Sequence, residues 1–192
     1  MKTALVLGCS HAAGSEISEP GEDDRENSYP MHLARLLGYN PTNCAITGGS
    51  NDAIFRLAEE HHNSYDIIIA CWTGCNRTEV WDGQSWQAIA PGGRPITVEQ
   101  YRQQWLIHGT DDTSGRLNKL KNILAVNSLC DNVINIDSFW PVPCEVAWAV
   151  PESFWDWCCE QNYARTVFGH FSLSAHQAFA KYVYKSLTTK QH

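Results

Sequence analysis

Five positions scattered along the chain have the residue types that acyl transfer requires. Ser10 ends the first apolar run, "LVLGCSHAAG", residues 5 to 14. Gly48 and Gly49 follow the second run, Asn76 closes "TGCN" after the third, and His170 precedes the last helical pattern. A serine hydroxyl can attack a carbonyl and a histidine can take and return its proton. Glycine-freed N–H groups and an asparagine amide can receive the resulting oxyanion. The first turn has neither the phosphate-cradling GxxxxGK[ST] pattern nor the GxGxxG fingerprint, so nucleotide binding is disfavoured.

These residues do chemistry together only if the fold gathers them. Apolar runs over Thr3–Leu7, Asn43–Thr47 and Asp66–Trp72 read as buried parallel strands, because their apolar residues are consecutive rather than alternating, and Asn132–Asp137 reads as a fourth. Between them lie helical patterns. "NSYPMHLARLLGYNP" has a capping Asn27 or Ser28, Pro30 in its first turn and Gly38 as its stop, and "SNDAIFRLAEEHH" opens on another cap. "TVEQYRQQWLIHG", "SGRLNKLKNILAVNSL" and the closing "SLSAHQAFAKYVYKSL" read likewise. Strand and helix in alternation predict an α/β architecture with right-handed crossovers, whose ligands sit at the carboxyl ends of the strands. All five positions fall there or just before the final helix.

Composition narrows the classes. At 192 residues the length fits about one domain, residues 1–192, and no linker or repeat divides it. A formal charge of −7 argues against a nucleic-acid partner. The apolar runs are too short to span a bilayer, so no membrane is expected, and Ala4–Leu7 is too short for a signal-peptide core. Eight cysteines set in strand-like segments read as buried thiols of a reduced compartment, not a disulfide framework. Neither Cys71 with Cys75 nor Cys158 with Cys159 has the spacing of a structural zinc pair, so no metal is expected.

The segments carrying these residues resemble the four sequence blocks of the SGNH, or GDSL-type, hydrolase superfamily. "LGCS" stands at the first block, with Cys9 where the family has aspartate; "NCAITGGSN" resembles the second, "WTGCN" the third and "GHFSLSAHQAFA" the fourth. The blocks span Leu5 to Ala180, and their combined spacing is also similar to that of SGNH-like proteins of tailed phages. The resemblance implies a three-layer α/β/α sandwich with a mostly parallel, flavodoxin-like sheet and no cofactor. It implies Ser10 as nucleophile, His170 as base, His176 as a residue of the last helix, and Ser10, Gly48 and Asn76 as oxyanion donors. One departure stands out. The family usually places an aspartate shortly before the histidine, whereas "ARTVFGH" has no acid. Asp137, at a strand end, and Asp156 and Glu160, upstream in the same long loop, are the candidates to orient His170.

Each residue also has a structural reading. Ser10 can be a turn or cap residue, the glycines turn formers, Asn76 a cap and His170 a residue packed on the last helix. His11, His61, His62 and His108 are taken as surface or structural. Arg77 and Glu79 form either a surface ion pair or part of a pocket rim. "EISEPGEDDREN" reads as a solvated loop, with a lid as its alternative. The segment 138–159 holds six aromatic side chains; as a cleft wall it would stack on sugar rings, and otherwise it packs on the sheet or mediates self-association. The expectation is therefore a serine-dependent hydrolase of a small carboxylic ester, with O-acetyl carbohydrate as the favoured substrate class, either cytoplasmic or phage-associated. The rival is an inactive carbohydrate-binding or structural module of the same fold.

Overall fold

The computed structural model describes residues 1–89, 112–139, 149–166 and 169–189. Four strands form one parallel sheet: β1 (Thr3–Gly8), β2 (Asn40–Asn43), β3 (Ile67–Trp72) and, after a hairpin, β6 (Val133–Asp137), in the order β2-β1-β3-β6. β1 pairs with β3 from Ala4↔Ile67 to Gly8↔Cys71, and β3 with β6 from Ile68↔Val133 to Trp72↔Asp137. All six residues of β3 are buried, as expected of a central parallel strand covered on both faces.

The two-residue period of the strands divides the core between the faces. Leu5, Leu7, Ile68, Ala70 and Trp72 meet Ile54 and Ala58 of α3 (Asn51–His61) together with Ile123 and Val126 of α4 (Asp112–Leu129). Ala4, Val6, Ile67 and Ile69 face the other way. There they meet Leu33 of α2 (Tyr29–Leu36), Phe154 of α5 (Phe154–Glu160) and Phe179 and Val183 of α6 (Leu173–Thr189). Helices therefore cover both faces of the sheet, the three-layer arrangement that the family resemblance implies. Among the described residues no helix is long and apolar enough to cross a membrane.

Three departures have physical causes. The second strand begins earlier than the apolar run, at Asn40; Pro41 is accommodated because β2 is an edge strand, where a missing donor costs no ladder bond on the open side. Cys44 and Ile46 of the predicted run still donate to Val6 O and Gly8 O, both at 2.9 Å. An antiparallel hairpin, β4 (Thr78–Trp81) and β5 (Trp86–Ile89), follows β3, its turn held by Asp82 Oδ1, which accepts from the N–H groups of Gln84 and Ser85. The proline-bearing aromatic stretch contains the short α5, capped by Ser153 Oγ accepting from Asp156 N at 3.0 Å. The predicted helix "TVEQYRQQWLIHG" and residues 140–148 of the aromatic stretch lie outside the described residues.

Candidate active site

The turn after β1 begins with a close approach. A Cβ on Gly8 would lie 2.5 Å from Ala12 Cβ and 2.9 Å from Cys71 Cβ, so only glycine lets the short helix α1 (Ser10–Ala13) fold back over the strand end. Cys9 is its N-cap, which leaves Ser10 as the first helical residue, buried to 7 % exposure. A first-turn N–H has no intrahelical acceptor.

The segment that carries the second predicted donor is tied to the end of β1. Ile46 donates to Gly8 O, Gly49 donates to Ile46 O at 2.8 Å, and Gly48 adopts φ 78°, which favours glycine. Ser50 then caps α3 through Oγ, 3.1 Å from Ala53 N. Asn51 reaches across to the third segment: its Oδ1 accepts from Thr73 N at 2.9 Å, and its amide donates to the Thr73 and Gly74 carbonyls. Asn51, an inconspicuous residue in the sequence, thereby fixes the backbone that presents Asn76. Asn76 is half-buried.

His170 is anchored by a residue that nothing in the sequence singles out. Its Nδ1 lies 2.9 Å from Glu16 Oε2, and the same oxygen accepts from Thr166 Oγ1 at 2.6 Å. Thr166 Oγ1 in turn accepts from His170 N at 3.0 Å, which closes a ring of three bonds around the imidazole. Burial works against ionisation of Glu16, but the hydrogen bonds from Thr166 and His170 outweigh it and hold the carboxyl below its usual range. Glu16 is thus an anion at neutral pH. It favours the tautomer with the proton on Nδ1 and leaves Nε2 as the acceptor.

None of the three predicted acids occupies this place. Asp137 is buried in an ion pair with Lys119 and accepts from Phe139 N, because the end of β6 faces α4. Asp156 bonds Ser153 Oγ at the start of α5. Glu160 is exposed at the end of that helix. The loop bearing Glu16 is also more than a solvated turn. Its tip, Ser18 to Asp23, is exposed or partly so, but its base is strapped to the second segment by Asp23, which accepts from Ser15 Oγ at 2.5 Å and from Thr47 Oγ1 at 2.7 Å. Arg25 donates to Ala45 O. Glu16 itself adopts φ 62°, a conformation uncommon for a residue with a side chain, and donates to Glu22 O.

Ser10 and His170 lie against one turn. The His170 ring is 5.1 Å from that of His11, the residue after Ser10, and is bonded to Glu16 six residues on. Among the described residues no hydrogen bond joins Ser10 Oγ to His170. His11 is not a surface residue. It is buried against Phe139, Phe154, Trp155 and Phe171, and burial, with His170, His176 and Arg77 adding to it, keeps it neutral. His176 accepts from Tyr29 N at 3.0 Å through Nδ1 and so ties α6 to α2. Arg77 and Glu79 do not pair with each other: Glu79 holds Arg56 through both oxygens at 2.7 and 3.0 Å, and Arg77 lies over Phe139.

No protein-family model matches this sequence, and no curated protein matches it. Solved structures do. A family two carbohydrate esterase from Clostridium thermocellum, determined in complex with cellohexaose, superposes with a TM-score of 0.57 at 13 % identity, over 99 % of this chain and 64 % of its own. A carbohydrate acetylesterase family member from Sinorhizobium meliloti gives 0.51 at 16 %, covering 98 % of each chain. TesA gives 0.55 at 14 %, over 97 % of this chain and 98 % of its own. The chain also spans 64 % of the length of an acetyl xylan esterase from Butyrivibrio proteoclasticus. At such identities the likeness concerns architecture, and the architecture is the one found in SGNH-type esterases: a mainly parallel sheet flanked by helices.

Proposed function

We propose that the protein is a serine-dependent hydrolase of small carboxylic esters, with O-acetyl groups on carbohydrate as the favoured substrate class. The observation that carries this reading is the imidazole of His170 held through Nδ1 by the ionised Glu16, against the turn that begins with Ser10, with no bond to Nε2 among the described residues. An acid that fixes an imidazole tautomer beside a serine is the arrangement a nucleophilic hydroxyl needs. The lack of an acid just before His170 and the aromatic loop are the grounds for an inactive module, and Glu16 weighs against the first of them.

In this reading Ser10 Oγ attacks the ester carbonyl carbon while its proton passes to His170 Nε2. The carbonyl oxygen becomes an oxyanion facing the N–H groups of Ser10 and Gly48 and the Asn76 amide. Collapse breaks the bond to the alkoxy oxygen, which leaves as the alcohol with the proton from His170. Water then gives a proton to His170 and attacks the acyl-serine, and the acid departs as Ser10 recovers its proton. Free-enzyme hydrogen bonds of this kind often tighten only when substrate is bound. The scheme calls for no cofactor.

Labelling by a fluorophosphonate, with the adduct located by mass spectrometry, tests the assignment directly. The expected adduct is on Ser10, and Ser10→Ala should abolish hydrolysis of 4-nitrophenyl acetate while leaving the circular dichroism spectrum unchanged. Full activity in Ser10→Ala would refute it.

A further inference from the structure

The turn that carries the proposed oxyanion donor Asn76 is gripped by two helices. α3 holds both its entry and its exit. Asn51 accepts from Thr73 N and donates to the Thr73 and Gly74 carbonyls at the entry. One residue on, Asp52 Oδ2 accepts from Thr78 Oγ1 at 2.6 Å, and Arg56 holds the neighbouring Glu79 through both carboxylate oxygens. α4 meets the turn in its middle. A Cβ on Gly115 would lie 2.5 Å from Cys75 O and 3.1 Å from Cys75 Cβ, so a larger residue there would push the turn away. Glycine inside a helix costs stability, and this close approach accounts for its presence.

Asp52 is the joint of the arrangement. Its Oδ1 accepts from Asn118 Nδ2 at 3.0 Å and from Asn122 Nδ2 at 2.9 Å, so one carboxylate ties α3, α4 and the start of β4 together. Gly115, Asn118 and Asn122 are spaced by three and four residues and share one face of α4. Asn122 is only 3 % exposed, so that face spends a buried position on an amide directed at Asp52. A carboxylate suits the place because it accepts at both oxygens, whereas an amide accepts at one. An acid in the first turn of α3 also favours the helix dipole, but that role requires neither the Thr78 hydroxyl nor the two amides of α4.

We propose that Asp52 is a positioning residue, which acts through Thr78 to hold the exit of the turn and thereby keeps the Asn76 amide directed at the developing oxyanion. This rests on the hydrolase reading for the reaction, but the clamp itself rests on the hydrogen bonds. An oxyanion donor is effective when it is in place before charge develops, and a displacement of about 1 Å forfeits much of its effect.

The test breaks the link at either end. Thr78→Val removes the hydroxyl, keeps the volume and leaves Asp52 its two amides; Thr78→Ser keeps the hydroxyl; Asp52→Ala removes the joint. On 4-nitrophenyl acetate, Thr78→Val and Asp52→Ala should each lower kcat by about 10-fold with KM little changed, short of the roughly 10²- to 10³-fold loss of the donor itself. Thr78→Ser should turn over like the wild type. Because the effect passes through Asn76, neither change should slow an Asn76→Ala enzyme further, whereas damage to the fold at large would multiply with it. Wild-type kcat in Thr78→Val, or losses that multiply in the double variants, overturn the proposal while the hydrolase reading stands. If the wild type neither hydrolyses the ester nor takes a fluorophosphonate on Ser10, the hydrolase reading falls by itself, and deuterium exchange over residues 73 to 79 decides the clamp. Faster exchange in Thr78→Val and Asp52→Ala but not in Thr78→Ser upholds it, and unchanged exchange refutes it.

Discussion

Replacing Glu16 by Gln probes the assignment of the acid most sharply, because it removes one charge and little volume. In the wild type one oxygen, Oε2, accepts from both His170 Nδ1 and Thr166 Oγ1. If the glutamine oxygen takes that place, both bonds survive as neutral ones. The difference between a charged and a neutral hydrogen bond, about 1 to 2 kcal/mol, then slows turnover by roughly 5- to 30-fold. If the amide turns its NH2 toward the ring, it donates to Nδ1 and drives the proton to Nε2, which can no longer accept from Ser10. Triads with the wrong tautomer lose about 10⁴ in rate. The Thr166 hydroxyl opposes this second arrangement, since it already accepts from His170 N and directs its own proton at Glu16. Turnover should therefore fall by a factor between about 5 and 10⁴, with KM little changed, measured on 4-nitrophenyl acetate from about pH 5 to 10. Wild-type turnover in Glu16→Gln would refute the role given to Glu16.

Other consequences can be measured alongside. Asn76→Ala should cost about 3 kcal/mol of transition-state stabilisation, read as a roughly 10²- to 10³-fold slower turnover with KM nearly constant. Gly8→Ala should destabilise the fold by about 1 to 3 kcal/mol in urea unfolding, because the added methyl meets Ala12 and Cys71 on two sides. His176, held neutral by burial at a pKa of about 3, and His11, also pushed down chiefly by burial, must charge on unfolding in acid. Both folded pKa values lie below the unfolded value of about 6.5, so the unfolded chain binds more protons below that pH. The urea midpoint should hold steady above about pH 7 and fall continuously between about pH 6.5 and 4.

How far the sequence reveals this arrangement depends on how local the physics is. β1 and β3 are readable because strands covered on both faces need apolar residues throughout, and "ALVL" and "IIIACW" provide them, while β6, "VINID", is read from Val133, Ile134 and Ile136. β2 lies ahead of the apolar run because an edge strand tolerates Pro41 and the polar Asn40, Thr42 and Asn43, which resemble a turn. The β4–β5 hairpin consists of two four-residue strands whose residues, Ile89 apart, are intermediate or exposed, too short to set up a period. Arg56 and Glu79 show the same limit from the other side, since the true partner of each lies 23 residues away rather than next to it.

Glu16 is the extreme case, separated from His170 by 154 residues. Its type gives no signal, because in an acidic stretch solvation is the ordinary fate of a glutamate. What distinguishes it is the pairing of the loop base, by Ser15, Asp23 and Thr47, with the segment that also supplies Gly48. The demand of the chemistry is only that an anion reach Nδ1, and the fold does not care which part of the chain delivers it. A loop that leaves the turn after β1 and returns to the second segment passes beside His170 on its way, so an acid near its start can take the place of one just before the histidine. By strapping that loop to both segments the protein couples the position of its acid to the turns that place Ser10 and Gly48, and loosening the Asp23 strap should disturb all three together.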